Sequence, residues 1–217
     1  MPFTALLRTV FTLGKGLWRG LPEPTADRDP MDLFNEWFTE AVKSGLLLPE
    51  AATLATCTKQ AVPSARIVLI KQFNENGFIF YNNYSSRKAE ELEENPRAAL
   101  VYYWPILQRQ VRIEGIVSRV TKNESEAYFH SRPRGSQLGA WASKQSKILA
   151  NRQDMDARFQ NFKTKFKDSN VPLPKFWGGY RVTPQCIEFW QGRVNRLHDR
   201  LRFDREVNGW ASKRLYP

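Results

Sequence analysis

The chain has 217 residues, of which 41% are apolar and seven are tryptophan, enough for a substantial core and too apolar for a disordered chain. Lys and Arg outnumber Asp and Glu by 33 to 22, a formal charge of +11, so anionic partners are expected: nucleic acid, an acidic membrane surface or phosphorylated small molecules, unless the excess is only a solvated basic surface. Cys57 and Cys186 form no CxxC pair, which argues against a disulfide framework or a thiolate metal site, and no apolar run approaches the ~18 residues that span a bilayer, so a soluble, cytoplasmic protein is expected.

Residues 1–28 read as a mobile N-terminal arm, basic at Arg8 and Lys15 and without an acid before Glu23, a composition that also suits an organellar transit peptide. Its Gly14, Gly16 and Gly20 follow no strand and lack GxGxxG spacing, so neither a dinucleotide fold nor a P-loop is supported. Residues 29–217 read as one domain. Met31, Phe34, Trp37, Phe38, Ala41 and Val42 recur at helical spacing after Pro30. Two runs rich in β-branched residues follow, Ala52 to Cys57 and Val62 to Ile70, then the turn Asn74-Glu75-Asn76-Gly77 and a strand from Phe78 to Asn82. Ser85-Ser86-Arg87-Lys88 opens a polar helix that stops at Asn95-Pro96, and Ala98 to Trp104 and Gln110 to Val120 read as strands.

Thr121 and Glu124 have capping-box spacing, and Pro133 should end the helix they open near Arg132. A longer helix is expected from about Ile148 to Phe166, followed by strands over Gln185 to Gln191, Leu197 to Arg205 and Trp210 to Leu215, the last two joined at Asn208-Gly209. Many short antiparallel strands with a few helices between them predict a mainly β (α+β) protein, a β-barrel with helices at its rim.

His130 and His198, with no HExxH or Cys/His cluster, leave no credible metal site, and no GxSxG elbow is present, so the chemistry is expected from a bound cofactor. Four basic groups remain. At Ser85-Ser86-Arg87-Lys88 free backbone N–H groups, a helix dipole and two cations coincide, suited to a phosphate or else a serine cap with two solvated cations. Arg66 and Lys71 bracket an apolar strand and, five apart, face opposite sides; they address two ligands or two subunits, or mark the strand's wet ends. Tyr128 and Arg132 share a helical face, with Ser136 in the turn forced by Pro133 and Gly135, so a phenol, a guanidinium and a hydroxyl converge on an anion, or the tyrosine merely stacks on the arginine. If a strand resumes at Arg196, then Arg196, His198 and Arg200 form a cationic row that calls for an anion opposite, or an exposed polar edge.

Arg66 to Lys71, Tyr81 with Ser86-Arg87-Lys88, Tyr128 to Gln137, Ala142 to Ser146, Trp177 to Arg181, Phe189 to Gly192 and Arg196 to Arg200, in this order, resemble the pyridoxine (pyridoxamine) 5'-phosphate oxidase family from about Asp29 to Pro217. The resemblance implies an antiparallel, Greek-key-like FMN-binding split barrel, working as a homodimer with active sites between subunits. It implies that Arg66, Ile67, Val68, Leu69, Tyr81, Asn82, Arg87, Lys88, Gln110, Gln145, Ser146, Trp190 and Arg200 hold FMN. Lys71, Tyr128, Arg132 and Ser136 would then take the substrate phosphate, and Arg196 and His198 would face the reacting ring. The implied reaction is oxidation of pyridoxine 5'-phosphate and pyridoxamine 5'-phosphate to pyridoxal 5'-phosphate, with hydride passing to flavin N5 and O2 reduced to hydrogen peroxide. The family's N-terminal Arg-x-x-Tyr lid is replaced here by Arg8-Thr9-Val10-Phe11, which lacks the phenolic hydroxyl. Two other readings compete: a split-barrel flavin reductase, for which the second phosphate set has no use, and a basic barrel that binds nucleic acid through exposed aromatics.

Overall fold

Asp29 and Pro30 set the start of the first helix among the described residues, α1 (Pro30–Lys43): the Asp29 carboxylate accepts from the Met31 N–H at 2.8 Å, and Pro30 fills a first-turn position where no N–H is needed. The expected apolar face is buried at Met31, Phe34, Trp37 and Ala41, although Val42 stays half exposed. Phe34 is fully buried and meets Phe73, Phe78 and Tyr102 edge-on, with centroids 4.9, 4.9 and 5.2 Å away. The helix thereby plugs the sheet. This computed structural model describes residues 21–23 and 28–217; Arg8, Phe11 and the glycines Gly14, Gly16 and Gly20 lie outside the described residues.

The strands are β1 (Ala51–Cys57), β2 (Pro63–Leu69), β3 (Gln72–Asn74), β4 (Gly77–Asn83), β5 (Arg97–Trp104), β6 (Arg109–Arg119), β7 (Trp177–Gln191), β8 (Asp199–Glu206) and β9 (Gly209–Leu215). All pair antiparallel, in the order β2-β1-β5-β6-β7-β4-β3, with β8 also on β7 and β9 on β8. Only Ile70 and Lys71 separate β2, at one end of this path, from β3, at the other. The three steps from Leu69 to Gln72 span at most ~10 Å, so the sheet must curl until its edges nearly meet, and the result is a split barrel. Lys71 stands at that seam, its backbone N–H donating to Ile79 at 2.8 Å.

The hairpin turns fall where the sequence places them, with Asn74 opposite Gly77 and Glu206 opposite Gly209, and both glycines have positive φ. Three expectations are corrected. The strand expected from Gln185 begins at Trp177: Gly178, Gly179 and Pro184 look like breakers, yet Pro184 sits at a bulge against Gly115. Ser136 lies not in an open turn but in the first turn of a further helix, because Pro133 ends one helix and caps the next. Arg196 and His198 precede β8, with Asn195 and Arg196 both left-handed (φ 58° and 60°), so no cationic row at period two exists.

The remaining helices are α2 (Arg87–Glu94), α3 (Lys122–Ser131), α4 (Arg134–Ala142) and α5 (Arg152–Lys165), the last starting four residues beyond the expected Ile148. Around them a second apolar cluster forms from Phe129, Leu138, Phe166, Val171 and Trp177. It fixes α3 and α4 over the Trp177 end of β7.

Candidate active site

A cavity of about 470 Å³ opens between the barrel seam and the two helices α3 and α4. From the barrel, Ile67, Val68, Leu69 and Lys71 line it on one side and Tyr81, Asn82 and Asn83 on the other. The start of α2 contributes Lys88, while α3 and α4 contribute Tyr128, Arg132 and Ser136, and Gln145 comes from the loop beyond α4. Residues scattered from Ile67 to Trp177 thus converge because β2 and β4 are brought together at the seam and the second apolar cluster clamps α3 beside them.

The aromatic wall is ordered. Tyr81 stacks on Tyr128 with centroids 3.9 Å apart and planes 16° apart, and on Trp177 at 5.6 Å and 9°. The Arg132 guanidinium lies 4.8 Å from the Trp177 ring. Gly179 makes the stack feasible, since a Cβ there would come within 2.8 Å of the Tyr81 ring. Asn83 pins the loop beyond α4, its side-chain amide donating to the Ser143 carbonyl and its backbone N–H to Gln145 Oε1, both at 3.2 Å.

Three buried polar atoms on residues lining this cavity have no protein partner: Tyr81 Oη, Asn82 Oδ1 and Arg132 Nη1. Leaving such groups unpaired costs about 1–3 kcal/mol each, so the cavity is built for a polar ligand. Burial, assisted by Glu124 and Tyr128, pushes the Tyr81 hydroxyl up to about 12, keeping it a hydrogen-bond donor at any ordinary pH. Burial and then the neighbouring Arg66 lower the Lys88 ammonium, and burial likewise lowers Arg132. Among the described residues neither Lys88 nor Arg132 has an ion-pair partner, which fits an anion supplied from outside.

Arg66 and Arg87 stand beside the cavity without lining it. Arg66 turns inward, donating to Ser64 Oγ at 2.7 Å and to Glu91 at 2.9 Å, while Lys71 turns to Glu50 at 3.4 Å, so the two take different carboxylate partners. Ser86 does not cap α2 with its hydroxyl, which instead accepts from Asn82 at 3.1 Å and from Lys88 at 3.5 Å. Ser146, left-handed at φ 68°, follows Gln145 without lining the cavity.

Gln110, Trp190, Arg196, His198 and Arg200 belong to a different place. Gln110 pairs with Trp190 and Trp190 with Arg200, one row across β6, β7 and β8. His198 packs on Trp190, with centroids 4.6 Å apart, and its Nδ1 accepts the Arg193 N–H at 3.2 Å. Arg200 donates to Glu188 at 2.9 Å, the anion opposite it being a carboxylate of its own chain. Trp177 marks the cavity end of β7 and Trp190 the other end; thirteen residues of strand extend roughly 40 Å. One chain therefore keeps the two groups apart. Sequence reasoning assigned no role to Trp177, Asn83, Ser143 or Glu91; the first was visible only as a tryptophan beside two glycines, and the others carry no local signal.

Barrel and seam cavity define a split-barrel protein with a cationic, aromatic-walled cavity. The family model described as pyridoxamine 5'-phosphate oxidase matches residues 38–166, and that described as the pyridoxine 5'-phosphate oxidase C-terminal dimerisation region matches 177–217. The chain belongs to the pyridoxamine 5'-phosphate oxidase family. It is 50% identical over 211 residues to the pyridoxine/pyridoxamine 5'-phosphate oxidase of Colwellia psychrerythraea, covering 97% of each chain, and 54% identical over 198 residues to that of Rubrobacter xylanophilus, covering 91% of each. Among solved structures it resembles PhzG from Burkholderia lata in complex with tetrahydrophenazine-1-carboxylic acid, with a TM-score of 0.87 at 28% identity over 93% of this chain and 100% of that one. A pyridoxamine 5'-phosphate oxidase-related, FMN-binding protein from Nostoc punctiforme shares the fold, with a TM-score of 0.72 at 16% identity over 88% of this chain and 99% of that one.

Proposed function

We propose that this chain oxidises pyridoxine 5'-phosphate and pyridoxamine 5'-phosphate to pyridoxal 5'-phosphate, with FMN as cofactor and O2 as the final acceptor. The observation that carries the reading is the set of unpaired buried atoms on Tyr81, Asn82 and Arg132 around one cavity, in a chain half identical to enzymes bearing that name. Bound FMN would supply the redox chemistry, taking a hydride from the 4' carbon of the substrate at N5 and passing the electrons to O2 as hydrogen peroxide.

The chain's own residues do the holding. Lys88, with Arg66 and Arg87 behind it and the open N–H groups of α2, receives the FMN phosphate. Ile67 to Leu69 support the flavin from β2, and Tyr81, Asn82 and Gln145 bound it on the other side, with Ser146 next to Gln145 outside the lining. Lys71, Tyr128, Arg132 and Ser136 take the substrate phosphate, the guanidinium lying over the Trp177 ring. Gln110, Trp190 and Arg200, followed by Arg196 and His198, reach the same flavin and substrate from a second subunit related by two-fold symmetry, which reconciles their distance along β7 with a single site. There Arg196 and His198 orient the C4' substituent and stabilise charge developing on the ring. The two cysteines, both free thiols, support a reducing compartment such as the cytoplasm.

Purified protein should be yellow, or take up FMN and become so, and release peroxide with either substrate. Colourless protein that cannot bind FMN overturns the proposal. Arg196→Ala should lower turnover by about 10²-fold or more while leaving FMN affinity nearly unchanged. Unchanged turnover with lost flavin would remove Arg196 from the reaction.

A further inference from the structure

The side chain most completely committed among the cations of α2 belongs to none of the expected ligand contacts. Glu91 lies in the second turn of α2, 3% exposed. One oxygen accepts from Arg87 Nε at 2.8 Å; the other accepts from Arg66 Nη2 at 2.9 Å and from the Thr56 hydroxyl. A single carboxylate therefore ties the first residue of α2 to β2 and β1. Burial alone would raise its carboxyl, but the hydrogen bonds from Thr56, Arg66 and Arg87 lower it on balance, so it is ionised at neutral pH.

Two consequences follow from this geometry. Glu91 engages Arg87 through Nε alone, so both terminal nitrogens of a side chain that is 62% exposed stay free of Glu91 at the helix start. The charge balance is set as well. Arg66, Arg87 and Lys88 against one carboxylate leave two positive charges uncancelled, the charge of a phosphomonoester dianion. A neutral ribityl alcohol offers nothing to that excess.

We propose that Glu91 is a positioning residue that holds Arg66 and Arg87 in register with Lys88 and so makes the site selective for phosphorylated flavin over unphosphorylated flavin. The inference rests on the assignment of the α2 start to the FMN phosphate. Position and charge predict opposite outcomes, which makes the idea testable. As a mere negative charge beside a phosphate, Glu91 weakens binding, and its removal tightens FMN. As a clamp, it strengthens binding, and its removal releases both arginines.

The test is a fluorescence titration of flavin-stripped, full-length protein with FMN and, separately, riboflavin, for the native chain, Glu91→Gln and Glu91→Asp. Gln lacks the charge; Asp keeps the charge but is too short to bridge both guanidiniums. Both variants should lose FMN affinity by about ten-fold or more, as expected for charge-assisted contacts that lose their alignment, while riboflavin affinity stays at the native value and certifies the fold. FMN affinity that is unchanged or higher in either variant overturns the proposal, as does a parallel loss of both flavins. Native protein that binds riboflavin as tightly as FMN would instead overturn the phosphate assignment at α2, an outcome distinct from failure of the Glu91 clamp.

Discussion

Tyr81 shows how a single side chain is prepared for a ligand. Its ring stacks on Tyr128 beside Trp177, but its hydroxyl is buried without a partner, and burial holds that hydroxyl protonated up to about 12. Tyr81→Phe should therefore leave the flavin-free protein at least as stable as the native one, because a buried unsatisfied hydroxyl stabilises nothing. The same change should weaken FMN by about 0.5–1.5 kcal/mol, the net worth of a neutral hydrogen bond. Thermal melting with and without FMN checks both, and a destabilised flavin-free variant would mean the hydroxyl is already satisfied. At this scale much of the site was legible: Lys71, Lys88, Tyr128, Arg132 and Ser136 are residue types that grip phosphate, and all five line one cavity. Glu91 was not legible, since a glutamate in a polar helix looks ordinary until its neighbours are known, and Trp177 was legible only as part of the motif from Trp177 to Arg181, with no role of its own.

At the level of elements, α3 carries its start signal in four residues. Thr121 Oγ1 accepts the Glu124 N–H at 3.2 Å and Glu124 accepts the Thr121 N–H at 2.9 Å, the reciprocal pair expected from the spacing. Thr121→Ala should cost about 1 kcal/mol of unfolding free energy at neutral pH. Glu124 is lowered by hydrogen bonds from the Thr121 backbone and hydroxyl and then by Arg181. A carboxyl with a depressed pKa contributes fully above its ordinary value of 4.5 and loses the contribution as pH falls through its folded value. The gap in urea stability between the native protein and Thr121→Ala should thus narrow as pH falls from 4.5 through the folded value of Glu124, leaving the part due to the Thr121 Oγ1 bond to the Glu124 N–H, which does not titrate; a gap that does not change would mean the threonine acts without the glutamate's charge. The elements that sequence missed share a cause. In β7, Gly178, Gly179 and Pro184 read as breakers, but each glycine accommodates close packing (Gly178 by Tyr84, Gly179 by Tyr81) and the proline occupies a bulge. In α4, Pro133 both ends one helix and opens another, and only the former role is visible locally.

For the whole molecule, the decisive fact is that the two expected groups of site residues lie at opposite ends of β7. If a two-fold dimer unites them, Arg132→Ala and Arg196→Ala, each inactive alone, should complement when co-expressed. A mixed dimer carries one site with both changes and one with neither, so random pairing restores about a quarter of native peroxide release. No recovery in purified mixed dimers would place both groups in the same subunit's site. The amino-acid sequence by itself determined the cationic and hydroxyl residues that line the cavity, the hairpin turns, the capping box and the mainly antiparallel architecture, because spacing, turn chemistry and caps are local. Only the tertiary structure decided that Ile70 and Lys71 close the barrel seam, that Glu91 gathers Arg66 and Arg87, and that Arg196 and His198 form no strand row with Arg200. Those outcomes depend on which strand edges meet and which buried carboxylate finds which guanidinium, contacts between residues far apart in the chain that no local pattern encodes.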